Sequence, residues 1–139
     1  MAINANNFFA PKPNNLRVRN SKRVVVTGNT FNPRQFVRAG TILFESCADC
    51  VVANCTLHKF ATTNGAIILR QCNGFSLNGL NLSDCGSGIV LKESTDCTIA
   101  NCRVTRTGNN SPDISIDPSN KKILLSGNAF TGTANIQAQ

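Results

Sequence analysis

The sequence predicts an all-β fold, a single-stranded parallel β-helix (solenoid) of about five coils. Three observations predict it: five stretches align with one another, each contains runs of alternating apolar residues, and one bend position always holds Gly or Asn. The repeats begin at Leu16, Ile42, Ile67, Ile89 and Ile114, so successive starts are 26, 25, 22 and 25 residues apart. A repeat of this length cannot bury its apolar face alone, and stacking the repeats gives a continuous core.

Each repeat contains three short strands. Alternating apolar residues in the first two strands indicate one buried face per strand, and β-branched residues are plentiful, as strands prefer. The inward pairs of the first strand are Leu16 and Val18, Ile42 and Phe44, Ile67 and Leu69, Ile89 and Leu91, and Ile114 and Ile116. Those of the second strand are Val24 and Val26, Cys50 and Val52, Phe75 and Leu77, Cys97 and Ile99, and Ile123 and Leu125. The third strand is anchored by Phe31, Leu57, Leu82, Val104 and Phe130.

The bend between the second and third strands reads Gly28, Asn54, Gly79, Asn101 and Gly127. Gly, and less easily Asn, adopts left-handed backbone at low cost, so this column predicts a tight bend with positive φ in every coil. Leucine-rich repeats have a similar period, but Leu does not dominate here and no segment has a sustained 3.6-residue period. An antiparallel sandwich would not require columns aligned across all five repeats.

The repeats divide the chain into an N-terminal extended or capping segment (1–14), the β-helix (15–132) and a C-terminal tail (133–139). The N-terminus has neither a basic start nor a continuous apolar stretch, so we expect no signal peptide. No apolar run reaches the roughly 18 residues that a membrane span needs, so we expect no membrane partner.

Segments 88–104, 26–31 (Val-Thr-Gly-Asn-Thr-Phe) and 125–130 (Leu-Ser-Gly-Asn-Ala-Phe) resemble the β-helix repeats of the pectate lyase-like superfamily. The resemblance covers residues 15–132. It implies a right-handed helix and an extracellular or periplasmic protein that is related to carbohydrate enzymes, although some members are non-catalytic or belong to phage tails. Members are usually longer, so this chain resembles the closing coils of one, or a miniature.

The outward face of the first strand carries a charged column: Arg19, Glu45, Arg70, Lys92 and Asp117. In the superfamily this face commonly forms the substrate groove. The resemblance therefore implies substrate-binding roles for Glu45, Arg70, Lys92 and Asp117, with the only histidine, His58, as a further candidate. Arg and Lys can bind uronate carboxylates, so an acidic polysaccharide is the expected partner. The competing interpretation is a ladder of mutually neutralising charges.

The catalytic residues, if any, are not identified by the sequence. It lacks the acidic cluster that would hold calcium in a lyase of this type, and the close group of Asp residues of the hydrolases. Glu45 and Asp117 are three coils apart, roughly 14 Å by strand spacing, which is too far for a glycosidase pair. His58 could belong to a substrate-binding cluster with Lys59, Asp84 and Arg106, or these could be solvated charge pairs.

Seven cysteines predict buried free thiols that pack as small apolar groups, without an intramolecular disulfide. Cysteines one coil apart point the same way, and those two coils apart are too distant to be bridged. The alternative is a zinc site at Cys47-Ala-Asp-Cys50, but Cys50 lies in an apolar column and no second pair follows. We therefore expect neither a metal nor a cofactor.

Two apolar regions need a cover. Leu43, Ile68 and Val90 form an outward apolar stripe, for which Ile3, Phe8 and Phe9 are the candidate cover. The tail 133–139 contains no amphipathic helix to cap the last coil, which predicts a homo-oligomer.

The leading functional hypothesis is a carbohydrate-directed β-helix module, part of or derived from a polysaccharide lyase or glycoside hydrolase. The alternative is a non-catalytic structural or self-assembling module, and whether the chain is an enzyme stays open. The net charge of +7 also suits nucleic acid, but this third interpretation is disfavoured because the basic residues are spread over several columns.

Overall fold

The computed structural model describes residues 1–8, 15–32, 40–60, 62–105 and 111–137. These ranges contain strands, turns and bends but no helix, which confirms the all-β prediction. Nothing in them has the helical length and apolarity that crossing a membrane would require.

Eighteen strands are present in the described ranges. In chain order they are β1 (Ala2–Asn4), β2 (Asn7–Phe8), β3 (Leu16–Arg19), β4 (Val25–Thr27), β5 (Thr30–Phe31), β6 (Ile42–Glu45), β7 (Val51–Ala53), β8 (Thr56–His58), β9 (Ile67–Arg70), β10 (Ser76–Asn78), β11 (Asn81–Ser83), β12 (Ile89–Lys92), β13 (Thr95–Ala100), β14 (Arg103–Thr105), β15 (Ile114–Ile116), β16 (Lys121–Ser126), β17 (Ala129–Phe130) and β18 (Ala134–Ile136).

The strands form three sheets of six strands each. Sheet I contains β3, β6, β9, β12, β15 and β18; sheet II contains β1, β4, β7, β10, β13 and β16; sheet III contains β2, β5, β8, β11, β14 and β17. Strand pairings in the described ranges are parallel and join equivalent positions of successive coils, for example Ile42 with Ile67 and Ile67 with Ile89. The chain is therefore a parallel β-helix.

The core fills the space between the three sheets, as the alternation predicts. Inward residues of the middle coils are fully buried, among them Ile42, Val52, Leu57, Ile67, Leu77, Leu82, Ile89 and Ile99. Phe44 and Phe75 add an edge-to-face pair with ring centroids 4.9 Å apart, a favoured arrangement of aromatic quadrupoles. Each coil is thus stabilised mainly by the coils above and below it.

The predicted bend column is confirmed. All five of its residues have positive φ, between 53° and 64°: Gly28, Asn54, Gly79, Asn101 and Gly127. Ala5, with φ 53°, continues the column towards the N-terminus.

Three further corners also have positive φ, and the sequence did not predict them. One follows sheet I and consists of Asn20, Ser46, Gln71 and Glu93. A second lies at the start of sheet II and consists of Arg23, Asp49, Gly74, Asp96 and Lys122. A third follows sheet III and includes Lys59 and Asp84. The backbone therefore turns through left-handed residues at several corners of each coil.

The sheets continue beyond residues 15–132 at both ends. β1 pairs with β4, β2 with β5, and β18 with β15. Ile3 and Phe8 pack against the main core, and Phe8 stacks on Phe31 with ring centroids 4.6 Å apart. Strands at both ends therefore add to the solenoid itself.

Candidate functional site

The charged column lies on the outer face of sheet I. Arg19 pairs with Glu45, Glu45 with Arg70, and Arg70 with Lys92 in the parallel register. The residue before each of them is a buried core residue, so the alternation of a strand directs the four charged side chains outward. The structure thus brings together the predicted residues Glu45, Arg70 and Lys92, about 4.8 Å apart from strand to strand.

Glu45 lies at the centre of three arginines. Its Oε2 is 2.6 Å from Arg19 Nε and 3.3 Å from Arg17 Nη2, and its Oε1 is 3.4 Å from Arg70 Nη1. The Glu45 side chain is only 16% exposed, whereas those of the arginines are 41–54% exposed. One carboxylate therefore serves three guanidinium groups, each of which has further donors that can face solvent.

Arg17 and Arg19 were not among the predicted site residues. Arg19 belongs to the charged column, so its contact with Glu45 follows from the register. Arg17 belongs to the neighbouring column and reaches Glu45 diagonally, because a long side chain can contact a residue two positions out of register.

The arginines lower the pKa of Glu45. The largest cause is the hydrogen bond from Arg19; partial burial acts in the opposite direction, and the hydrogen bond from Arg17 and the attraction of both charges add to the lowering. Glu45 is consequently ionised at neutral pH. A carboxylate in this state accepts hydrogen bonds but is not suited to donate the proton that glycoside hydrolysis requires.

Lys92 and Asp117 have different surroundings from Glu45. Lys92 is exposed and forms no ion pair within the described part of the chain. Asp117 is held in a turn, where its Oδ1 accepts hydrogen bonds from the Ser119 amide at 3.0 Å, the Ser119 hydroxyl and Asn120 Nδ2 at 3.0 Å. Lys92 thus offers an uncommitted positive charge, whereas Asp117 stabilises the local backbone.

His58 lies on sheet III. Its Nδ1 is 2.7 Å from the Ser83 hydroxyl, and the two residues are register partners on β8 and β11. Lys59 and Asp84 follow these strands at corners with positive φ, and Arg106 lies outside the described residues. His58 is therefore on a different face of the helix from the charged column.

The apolar stripe of Leu43, Ile68 and Val90 is covered, since each residue is only 8% exposed. Part of the cover is Gly65. A Cβ added to Gly65 would lie 2.8 Å from Val90 Cγ2 and 3.0 Å from Ile68 Cγ1. The stripe is therefore a closed flank beside the charged column and not an open docking surface.

Two of the three N-terminal residues that were expected to cover the stripe pack elsewhere. Ile3 and Phe8 pack on the main core because β1 and β2 pair within sheets II and III. Phe9, the third expected contact, lies outside the described residues.

All seven cysteines are free and buried. Cys50, in the sequence that suggested zinc, directs its Sγ to the Ala48 carbonyl at 3.2 Å. Burial raises the pKa of Cys72 to about 12, so this thiol stays protonated and is a poor metal ligand. Within the described residues, no group of three or more His, Cys, Asp or Glu side chains could hold a metal ion.

Comparison with known proteins supports the fold. Residues 1–137 match the family model described as the right handed beta helix region. A structure from Parabacteroides merdae, solved as that of a "putative glycosyl hydrolase", superimposes with a TM-score of 0.67 at 10% sequence identity. The match covers 87% of this chain and 64% of that one, so the present chain spans somewhat less than two thirds of its neighbour's length. A search of curated proteins found no significant match.

At 10% identity the structural neighbour supports the fold alone. The family match extends over nearly the whole chain and gives the hand of the helix, as the resemblance of the repeats had implied. The parallel strands, the stacked core and the family model agree, and the chain belongs to the right-handed β-helix family.

Proposed function

We propose that this protein is a carbohydrate-directed β-helix module that binds an acidic polysaccharide along the outer face of sheet I. The observation that carries the proposal is the excess of cations there, where Arg17, Arg19 and Arg70 share the carboxylate of Glu45 and Lys92 has no ion-pair partner among the described residues. Guanidinium groups bind carboxylates through two parallel hydrogen bonds, and such charge-assisted bonds are stronger than neutral ones.

Binding is better supported than catalysis. Glu45 is ionised, and Asp117 is engaged in its own turn, so neither is suited to act as a general acid. The two lie roughly 14 Å apart by strand spacing, whereas paired glycosidase carboxylates lie within about 10 Å. We therefore propose that the scaffold is part of, or derived from, a polysaccharide lyase or glycoside hydrolase. We assign no catalytic role to these two side chains.

The test is binding to a homopolymer of galacturonic acid, compared with its fully methyl-esterified, uncharged form. Arg70→Ala/Lys92→Ala should weaken binding by about tenfold or more, because two exposed charge contacts are lost at up to about 1 kcal/mol each. Rising salt should also weaken wild-type binding. Above 0.1 M salt the Debye length falls below about 10 Å, so the attraction between the exposed cations and the polymer is screened.

Arg103→Ala/Lys121→Ala is the matched control. It removes the same charge from exposed positions on β14 and at the start of β16, away from sheet I. If both double variants lose affinity equally, binding follows net charge alone and the proposed site is wrong. Incubation with a panel of uronate polymers, with detection of unsaturated products, tests for lyase activity.

The proposed ligand favours an extracellular or periplasmic location. Free thiols are more usual in reducing compartments, but burial protects the seven cysteines of this chain. Fractionation of the native source tests this, and a cytosolic protein would argue against a polysaccharide ligand.

A structural, self-assembling module is the second candidate function. The observation that favours it is the last described coil, in which Ile136 of the core column is 49% exposed. A self-assembling module would bury this residue between copies.

A further inference from the structure

We infer that Glu45 is an internal counter-ion of the arginine cluster, which a polysaccharide carboxylate must outcompete. The inference rests on the proposed function and adds a residue that sets affinity and selectivity. Glu45 supplies to the arginines the same group, a carboxylate, that a uronate would supply.

The geometry carries the inference. The two Glu45 oxygens contact three different guanidinium groups at 2.6–3.4 Å. Arg17 and Arg19 lie on the strand before that of Glu45, and Arg70 lies on the strand after it. Among the described residues, no other carboxylate forms an ion pair with these arginines. A ligand that approaches them therefore meets a repulsive charge at the centre of the cluster, close to the donors it needs.

Charge density should decide which polymers bind. A polymer with many adjacent carboxylates can engage Arg70, Lys92 and Arg19 together, and so offset the repulsion from Glu45 through several contacts. A polymer with isolated carboxylates gains only one contact at a time, which does not offset the repulsion from Glu45. Glu45 thus makes the face selective for densely charged polymers.

Glu45→Gln tests this most directly, because glutamine keeps an oxygen acceptor and the length of the side chain but removes the charge. Affinity for the galacturonic acid polymer should rise about three- to tenfold, because the ion pairs of Glu45 no longer compete with the polymer for the arginines. Preference for the fully charged over a partly methyl-esterified polymer should fall in the same variant.

Asp96→Asn is the matched control, because it removes an equal charge at an exposed pair with Lys122 (3.6 Å) on a different corner. It should change affinity less than about twofold at 0.15 M salt, where distant exposed charges are screened. Glu45→Ala provides a second variant, and thermal unfolding of each variant verifies that the fold is retained. Alanine removes both the charge and the acceptor, so its affinity should lie between those of wild type and Glu45→Gln.

Affinity of Glu45→Gln equal to or below that of wild type would overturn the inference, because Glu45 would then position the arginines or contact the sugar. If the wild type still binds, and loses binding in Arg70→Ala/Lys92→Ala, only the inference fails and the proposed function stands. If wild type and Glu45→Gln both fail to bind the polymer at low salt, the proposed function fails together with it.

Discussion

Each of the seven cysteines directly follows a residue with positive φ. The preceding residues are Ser46, Asp49, Asn54, Gln71, Asp84, Asp96 and Asn101. At such a corner the next side chain turns inward, and the thiol reaches the carbonyl two residues earlier, as from Cys55 to Ala53 and from Cys102 to Ala100, both at 3.3 Å. Ser94, at an equivalent corner, donates to the Lys92 carbonyl at 3.0 Å in the same way. Cysteine is thus used here as a small, weakly donating corner residue.

Cys72 predicts a loss of stability in alkali. Its pKa rises from 9.0 to about 12 on folding, chiefly because burial disfavours the thiolate. A raised folded pKa contributes stability that is complete below the unfolded value and is lost as pH rises towards the folded one. By about pH 11, ionisation of this thiol in the unfolded chain should therefore lower the free energy of unfolding of the wild type by roughly 2 kcal/mol. Cys72→Ser lacks the titrating group and should not show this loss.

The measurement is the free energy of unfolding of both proteins by denaturant, from neutral to alkaline pH. The difference in the free energy of unfolding between wild type and Cys72→Ser should narrow as pH rises. A constant difference would contradict the raised pKa of Cys72. A thiol titration of the unfolded, unreduced wild type should count all seven cysteines; five or fewer would indicate a disulfide.

At the scale of elements, corners decide the path of the chain. In the bend between sheets II and III the residue types reveal the backbone conformation, because all five aligned repeats use Gly or Asn there. The corner at the start of sheet II has the same left-handed geometry but holds Arg23, Asp49, Asp96 and Lys122 as well as Gly74. Such mixed polar residues carry no common signal, so this corner could not be predicted from the sequence.

Asn101→Val should lower the free energy of unfolding by about 2 kcal/mol, because a β-branched residue resists positive φ. Asn101→Gly should change it by less than about 0.5 kcal/mol. Asn78→Val is the matched control: it removes the same exposed side-chain hydrogen bond, Asn101 Nδ2 to Asn78 Oδ1 at 3.2 Å, from a strand position outside the left-handed region. Equal denaturation midpoints for the Val and Gly variants at 101 would refute the strain argument.

At the scale of the whole molecule, the repeat allowed most of the fold to be predicted. The alternation of apolar residues fixes which side chains face the core, and the alignment of repeats fixes the register of the sheets. The same alignment brings Glu45, Arg70 and Lys92 into one column. The alignment of the repeats could not predict three features: the diagonal contact of Arg17 with Glu45, the position of Gly65 over the apolar stripe, and the turn that engages Asp117. These depend on side-chain length and loop path, which the repeat does not specify.

The last described coil predicts self-association. In the described structure, nothing pairs with the outer edges of β16, β17 and β18. Ile123, Leu125 and Phe130 are only partly buried there, and Ile136, which continues the core column of Ile116, is 49% exposed. Open strand edges and uncovered core residues favour pairing with another chain, and covering them yields about 25 cal/mol per Å² of apolar area.

We therefore expect a homo-oligomer, most simply a two-fold dimer joined through these ends. Because the apolar stripe is buried, it offers no competing surface.

Ile136→Asp should dissociate the dimer, since it would place an unpaired charge at the joined ends. Leu124→Asp is the matched control: Leu124 is 60% exposed but lies beside the core positions Ile123 and Leu125, on the outer face of sheet II. Sedimentation at micromolar concentration decides between these outcomes. A wild-type monomer of 14.9 kDa would refute the association, and dissociation by Leu124→Asp alone would move the interface to the side of the helix.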